Sequence, residues 1–549
     1  MTGILAGLAE AARDRPHVAA TLLPVRSPLG ARGAAGFRAM TFRQLDRRSD
    51  ALAAGLDAVG AGGGARVALL LPPGEEFFVA SFGLLKAGAV PVLIDPGIGV
   101  ARLGRCLAEA EPSAFLGSPR AHLARAVLRW APAARRLVVR RLERLGRSRR
   151  AWRAAPRRDG ETAAILYTSG STGPPKGVEY RHPHFAAQVE SLRALYDLRA
   201  GDVSLATFPP FALFGPALGL TTVVPRMDPT RPAAVDPRAV LGAAALFDAT
   251  VMFGSPALLD TVGRYAAATG ARLPALRTVV SAGAPVPEPV IRDVVGMLAD
   301  AGRVATPYGA TEALPVSSIG SDELLALPPR PRRGVCVGRP APGVDIRIAP
   351  VEDRPWTVVP DCLPDGEIGE IVVRGDVVTE AYRGRPEATA LAKADWDGRR
   401  AHRMGDLGWL DDRGRLWFCG RVAHRVLTGD EILYPLPCEE VFAVHPAVAR
   451  AALVGVGPRR AQRPVLCVEL QDGARPGPAL TGELLALGGA HPHTRPIQTV
   501  LYHPRFPVDI RHNAKVGYGA LAGWAARTLD ASPHAGQPPA PRRRADRRP

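Results

Sequence analysis

Residues 165–178 read "ILYTSGSTGPPKGV", an apolar run that opens into a loop of Thr168, Ser169, Gly170, Ser171, Thr172 and Gly173 and closes on Lys176. Glycines let backbone N–H groups approach an anion closely, while hydroxyls and an ammonium add donors, so this stretch is suited to holding a polyphosphate. It is not a Walker A loop, because no Gly-Lys-Ser/Thr follows at the required spacing. A flexible linker would explain the glycines but not the lysine, one of four in a chain that carries 66 arginines. A second group is "ATPYGATEALPVS", 305–317, where Tyr308, Gly309, Thr311 and Glu312 offer an aromatic face, a hydroxyl and a carboxylate for a nucleobase, a phosphate and Mg²⁺. Taken alone it also reads as an ordinary turn at a strand end. In "HRMGDLGWLDDRGRLWFCGR", 402–421, Asp406 could accept hydrogen bonds from ribose hydroxyls, whereas Asp411, Asp412 and Gly414 read as hairpin-turn residues. Lys515 stands in "FPVDIRHNAKVGYG", 506–519, and its compact charge on a flexible stem can enter a narrow site that a planar guanidinium would not. His182, His184, His402, His424 and His512 lie near these motifs, and none is assigned as a base, since a lone histidine is more often structural.

Elements that could position these residues follow from the apolar periodicity. Residues 41–96 read helix, Gly-rich break, apolar strand, helix, apolar strand, which argues for parallel α/β structure. From about 160 to 320, "TAAILYT", "LRTVVSAG" and "GRVATPYG" read as strands alternating with helices, each ending in small polar residues where such sheets bind ligands. Residues 119–158 are basic and read as irregular. After 334 the character changes: "GEIGEIVVRG" and "GRLWFCGR" read as antiparallel strands. The expected fold is α/β, with a large N-terminal domain of mixed sheets and flanking helices plus a distorted β-barrel subdomain, over 1–420. A small mobile α+β domain follows over 421–530, then a disordered basic tail over 531–549.

With 549 residues and 47% apolar composition, the chain can build several cores. Its six cysteines show no C-x-x-C spacing and read as reduced thiols, with cytoplasmic localisation expected. No signal peptide is read at the N-terminus. The run "FPPFALFGPALGLTTVVP", 208–225, carries four prolines and reads as a buried wall rather than an integral membrane segment. The net charge of +18 invites a nucleic-acid reading, but the charge is scattered, only 6% of residues are aromatic, and no basic stripe is interleaved with aromatics. Solvated arginine-rich faces are the preferred explanation, with a docking surface for an anionic partner as the second.

In order and across most of the chain, these segments resemble the adenylate-forming superfamily of acyl-CoA synthetases, luciferases and carrier-protein adenylation domains. "YTSGSTGPPKG" is similar to its phosphate loop, "SAGAPV" (281–286) to its adenine-side loop and "YGATE" to its adenine, α-phosphate and Mg²⁺ motif. "AYRGRPEATA" (381–390) is another shared segment, and "GDLGWLDDRGRLWFCGR" leads to its interdomain hinge. The resemblance implies ATP and Mg²⁺ as cofactors. It further implies that Thr168, Ser169, Ser171, Thr172 and Lys176 cradle the β- and γ-phosphates, with Gly170 and Gly173 in the same loop. Gly283, Ala284 and Pro285 would flank the adenine, Tyr308 would stack on it with Gly309 also at the ATP site, and Thr311 would contact the α-phosphate. Glu312 would hold Mg²⁺, Asp406 would bind ribose with Arg421 beside it, and Lys515 would be the mobile adenylating lysine.

Within the superfamily, "FPPFALFGPALG", "YGATEALPVSSIG", "GRVAHRV" and "FPVDIRHNAK" are similar to the β-lactone synthetases of long-chain olefin biosynthesis. That resemblance implies activation of a 2-alkyl-3-hydroxy acid as acyl-AMP, followed by attack of its own 3-hydroxyl. Ala423 stands where relatives have a charged hinge residue, and the usual G-x-R-I element is missing, which argues against thiol transfer. A long-chain fatty acid–CoA ligase or fatty acyl-AMP ligase is the alternative. Implied partners are the small β-hydroxy acid and other olefin-pathway enzymes, a reductase and a β-lactone decarboxylase. Segments 208–225 and 249–259 are candidate walls for one alkyl chain.

Overall fold

The computed structural model describes residues 3–25, 36–149, 152–154, 158–167, 174–327, 334–508 and 516–531. Contacts divide them into a larger unit reaching Trp417 and a smaller one beginning at Phe418, to which Gly334 and Val335 also belong.

Two sheets build the larger unit. In the first, strands Arg135–Leu137, Ala114–Gly117, Arg66–Leu70, Val90–Ile94, Thr162–Tyr167 and Gly177–Arg181 lie side by side in that order, all parallel except the last. Parallel neighbours need crossovers, and helices Glu75–Ala87, Val100–Ala110 and Pro119–Leu128 supply them. The crossovers cover both faces, which is why "VALL" (67–70) and "VPVLI" are apolar throughout rather than alternating. Helix Val100–Ala110 turns Leu103, Cys106, Leu107 and Ala110 inward, an i, i+3, i+4, i+7 stripe. Helix Phe42–Ala58 begins at a capping box in which Gln44 N donates to Thr41 Oγ1 (3.2 Å) and Thr41 N to Gln44 Oε1 (2.9 Å). Its Phe42, Leu45, Leu52 and Leu56 are fully buried, each worth ~1.5–3 kcal/mol of transfer free energy.

The second sheet has a parallel centre of Arg303–Ala310, Thr278–Val280, Val251–Phe253, Val203–Ala206, Thr221–Val223 and Ala19–Pro24 in spatial order, with Phe37–Thr41 antiparallel at the edge. Past Arg303–Ala310 the pairing turns antiparallel through Ala313–Gly320, and strands Val344–Ala349, Gly369–Gly375 and Arg399–Leu410 continue in that style. The smaller unit pairs Val448–Val456 with Arg463–Leu470 antiparallel and the latter with Val500–Tyr502 in parallel. Its helices are Pro435–Phe442, Pro478–Gly489 and Tyr518–Ala531, so it is α+β.

The basic stretch 119–158, expected to be irregular, instead contains two helices, Pro119–Leu128 and Val139–Arg147, and strand Arg135–Leu137. Arginines mask the pattern, because only Val139, Leu142, Glu143 and Gly146 of the second helix face inward. At Gly146 an added Cβ would lie 1.7 Å from Ala51 O, so the close approach to helix Phe42–Ala58 requires glycine there. Arg48 bridges Glu143 and Glu75 at 2.8 Å each across the same packing. Asp411 does sit in a hairpin turn, but it is more than a turn residue. It is buried, accepts from Arg415 Nε (2.8 Å) and Trp417 Nε1 (3.0 Å), and holds its proton only below about pH 2 despite desolvation. All six cysteines are free thiols and only Cys362 is exposed. The apolar run 208–225 folds as two short helices, Pro209–Ala212 and Phe214–Ala217, and strand Thr221–Val223. Among the described residues no helix is long and apolar enough to cross a membrane. The tail 532–549 lies outside the described residues.

One of the rare lysines is structural. Lys86, 3% exposed, donates to Asp46 Oδ1 (2.6 Å) and Asp50 Oδ1 (2.7 Å), clamping helix Glu75–Ala87 to helix Phe42–Ala58. Both carboxylates reach water, so the loss is smaller than for a sealed pair: Lys86→Ala is expected to cost about 2 kcal/mol in denaturant unfolding, with the m-value unchanged.

Candidate active site

Lys176 directly precedes strand Gly177–Arg181, while Thr168 to Gly173 lie outside the described residues, as do Lys515 and His512. The register Ala310↔Ala313 leaves Thr311 and Glu312 as the two-residue tip of a hairpin. Gly309 lets that hairpin close, since a Cβ there would fall 2.8 Å from both Ala313 O and Leu314 Cδ1.

What joins Lys176 to this tip is the segment 378–383. Tyr382 bridges Val178 and Val378 bridges Ala313. Arg383 N donates to Gly177 O (2.7 Å), Glu179 N to Ala381 O (3.1 Å) and Thr379 N to Glu312 O (2.9 Å). With its backbone held on both sides, Tyr382 donates its phenol to Glu312 Oε1 at 2.6 Å. The Lys176 ammonium stands 4.7 Å from the centroid of the same ring, a cation–π distance. Tyr180 donates to Thr311 O at 2.5 Å and anchors the tip from the Lys176 strand. On the other flank Tyr308 donates to Oδ2 of buried Asp406 at 2.7 Å, so the two residues assigned to base and ribose are in contact.

Lysine, threonine, glutamate, tyrosine and aspartate from four separate motifs therefore converge. Gly283, Ala284 and Pro285 follow strand Thr278–Val280, the parallel neighbour of Arg303–Ala310, so they too leave the carboxyl end of the sheet. Arg421 ends strand Leu416–Arg421 and belongs to the smaller unit, and Ala423 lies in the one-turn 3₁₀ helix Val422–His424.

Burial shapes the charges. It pulls the Lys176 ammonium below the usual lysine range, against the attraction of Glu312. Lys393, 3% exposed, donates to Thr379 Oγ1 (3.3 Å), which itself donates to Glu312 O (3.0 Å). Burial lowers Lys393 to about 7, opposed by the nearby charges of Glu312 and Glu380. His184 accepts from Arg181 N (3.0 Å) and is driven by burial to about 4, so it serves as a neutral cap. His424 stacks on Tyr518 at 4.4 Å and is likewise lowered to about 4 by burial.

Sequence reasoning overlooked Tyr382, Tyr180, Thr379 and Lys393. Two signals were present: Lys393 is one of four lysines, and Tyr382 lies inside "AYRGRPEATA". Next to the tip lies an apolar cavity of about 80 Å³ walled by Phe211, Phe214, Leu218 and Phe253, from the two segments expected to hold an alkyl chain, and reaching Ala282 and Pro307. Phe211 and Phe253 stack there at 4.1 Å.

A family model described as AMP-binding enzyme matches residues 8–383. The chain belongs to the AMP-binding enzyme family. It is an AMP-forming ligase. It is 47% identical to the olefin beta-lactone synthetase of Xanthomonas campestris pv. campestris, over 96% of this chain and 98% of that one. It is 48% identical to the olefin beta-lactone synthetase of Stenotrophomonas maltophilia, with the same coverage. Among solved structures of the AMP-binding fold, ATP-bound MatB from Rhodopseudomonas palustris superposes with a TM-score of 0.77 at 23% identity, covering 96% of this chain and all of that one. The O-succinylbenzoate coenzyme A synthetase of Bacillus subtilis with AMP gives 0.73 at 21% identity, covering 94% and 97%.

The buried lysine makes a pH prediction. The unfolded chain keeps the Lys393 proton up to its ordinary value of 10.5, the folded chain only to about 7. Between those values unfolding takes up a proton, so stability rises with pH, and below about 7 the contribution is flat. Melting curves at about pH 7 and about pH 9 should show this rise in the wild type, and Lys393→Met should abolish it.

Proposed function

We propose that the protein activates a long-chain 2-alkyl-3-hydroxy acid with ATP and closes it to a β-lactone. The observation that carries this reading is the full-length likeness to two proteins named olefin beta-lactone synthetase, at nearly half identity. The altered hinge "GRVAHRV" and the apolar cavity beside the nucleotide motifs support it.

In the first half-reaction a carboxylate oxygen attacks the α-phosphorus of ATP and the bond to pyrophosphate breaks. Two anions must meet, so fixed cations lower the barrier. Lys176 is held for that purpose over Tyr382, and we assign Thr168, Ser169, Ser171 and Thr172 to the phosphates with it. Thr311 faces the α-phosphate, Tyr308 the adenine and Asp406 the ribose. We assign Lys515 to the carboxylate. We assign residues 1–420 to ATP and acid binding and 421–530 to a lid.

Mg²⁺ fits the residues present. Tyr382 occupies Glu312 Oε1 with a single hydrogen bond, and one carboxylate plus nucleotide phosphates is a usual Mg²⁺ donor set. Among the described residues no cluster of three or more acidic, histidine or cysteine ligands competes as a self-contained metal cage. When bound, the ion would neutralise phosphate charge. In the second half-reaction the 3-hydroxyl oxygen attacks the acyl carbon, the bond to the phosphate oxygen of AMP breaks, AMP departs, and the hydroxyl proton is released. The nucleophile arrives with the substrate, so no thiol channel is needed. The lactone would suit a decarboxylating enzyme downstream, and a ketone reductase would supply the hydroxy acid.

Incubation with ATP, Mg²⁺ and a 2-alkyl-3-hydroxy acid, with and without CoA, should yield the same β-lactone by NMR in both arms, together with AMP and pyrophosphate. Formation of a CoA thioester in place of the lactone refutes the reading. Lys515→Ala should slow pyrophosphate release by about 10²–10³.

A further inference from the structure

Gln188 is the buried polar residue on the wall of the apolar cavity, 3% exposed on helix His182–Tyr196. Its amide orientation is dictated by a relay. Thr311 O can only accept, so Tyr180 must spend its single proton there, at 2.5 Å. The Tyr180 oxygen then has only acceptor capacity left, and Gln188 Nε2 donates to it at 3.3 Å. That leaves Gln188 Oε1 turned away from the relay. It takes no hydrogen bond from any described residue, yet it is not sealed in as Ser281 Oγ and Tyr167 Oη are, so it opens on free volume. The cavity's other side-chain polar groups are hydroxyls, Tyr196, shared with Ser318 Oγ at 3.4 Å, and Ser204.

A buried acceptor in an apolar cavity calls for a donor on the ligand. ATP phosphates, a carboxylate and alkyl chains have none to offer. A hydroxyl on the chain near the carboxyl end does, and the relay ties Gln188 to the tip residue, Thr311, that faces the reacting phosphate. We propose that Gln188 Oε1 accepts a hydrogen bond from the substrate's 3-hydroxyl, and that this residue selects 3-hydroxy acids over their 3-deoxy and 3-keto counterparts. A 3-keto group would set acceptor against acceptor, and a 3-deoxy chain would leave Oε1 desolvated and unpaired. Gln188 is a positioning and specificity residue, since an amide takes no proton at neutral pH. The inference rests on the proposed β-hydroxy acid substrate and concerns its recognition before ring closure.

The test is the adenylation half-reaction of the full-length protein, read as pyrophosphate release, with a matched pair of 2-alkyl acids with and without the 3-hydroxyl. In Gln188→Leu the ratio of kcat/KM for the hydroxy acid over the deoxy acid should fall about tenfold to a hundredfold. A merely structural role would lower both substrates together and leave that ratio unmoved, which would overturn the proposal. Wild-type protein gives a check that needs no variant: the 3-O-methyl and 3-keto acids, acceptors without a donor, should compete no better than the deoxy acid. If the 3-O-methyl acid competes as well as the hydroxy acid, no donor is being read and the proposal fails. The two readings separate cleanly. Hydroxyl-dependent adenylation without lactone sinks the lactone function and leaves Gln188 standing, whereas lactone formation without hydroxyl preference in adenylation sinks Gln188 alone.

Discussion

The backbone of residues 378–383 is hydrogen-bonded on one side to the strand that Lys176 opens and on the other to the hairpin that ends in Glu312. These two elements belong to different sheets, and their mutual position decides whether a cation and a carboxylate share a site. Side chains alone would fix that position poorly, because long polar side chains are flexible. Backbone pairing fixes it to within the tolerance of a hydrogen bond, and Tyr382 converts the pairing into a chemical arrangement by touching both Lys176 and Glu312.

Around this join the protein uses low dielectric as a tool. Lys176 and Lys393 both have their ammonium forms disfavoured by burial, and both feel Glu312. An arginine in either place would stay charged and bring a planar fork needing several acceptors. Lysine is thus kept where a compact and adjustable charge is wanted, while buried arginines such as Arg403 and Arg415 stand where a carboxylate meets the guanidinium directly. Lys86 serves a different need, since its ammonium reaches two carboxylates of one helix from a neighbouring helix.

The cavity beside the hairpin tip is joined to it by hydrogen bonds. Its walls are aromatic and aliphatic, yet one polar residue on it is connected through Tyr180 to Thr311. A ligand that satisfies Gln188 therefore acts on the same bonded network that steadies the hairpin tip. The relay is saturated from Thr311 to the Gln188 amide nitrogen and open only at Gln188 Oε1, where an unpaired acceptor in an apolar surrounding is costly.

Much of this was legible in the chain before folding. The alternation of strands and crossover helices follows from periodicity and residue type, because strands and helices are local in sequence. The scarcity of lysine also marked Lys176 as unusual. The helices within 119–158 were hidden by arginines whose placement on the solvent face only packing reveals. Tyr382, Thr379, Lys393 and Gln188 were not legible as site residues, since each acquires its role from a partner between 8 and 206 positions away, through contacts that exist only in the folded chain. Residue chemistry and spacing determined which reaction class the chain could serve. Tertiary structure alone decided which buried groups meet, because desolvation and hydrogen-bond polarity depend on neighbours that the linear order does not specify.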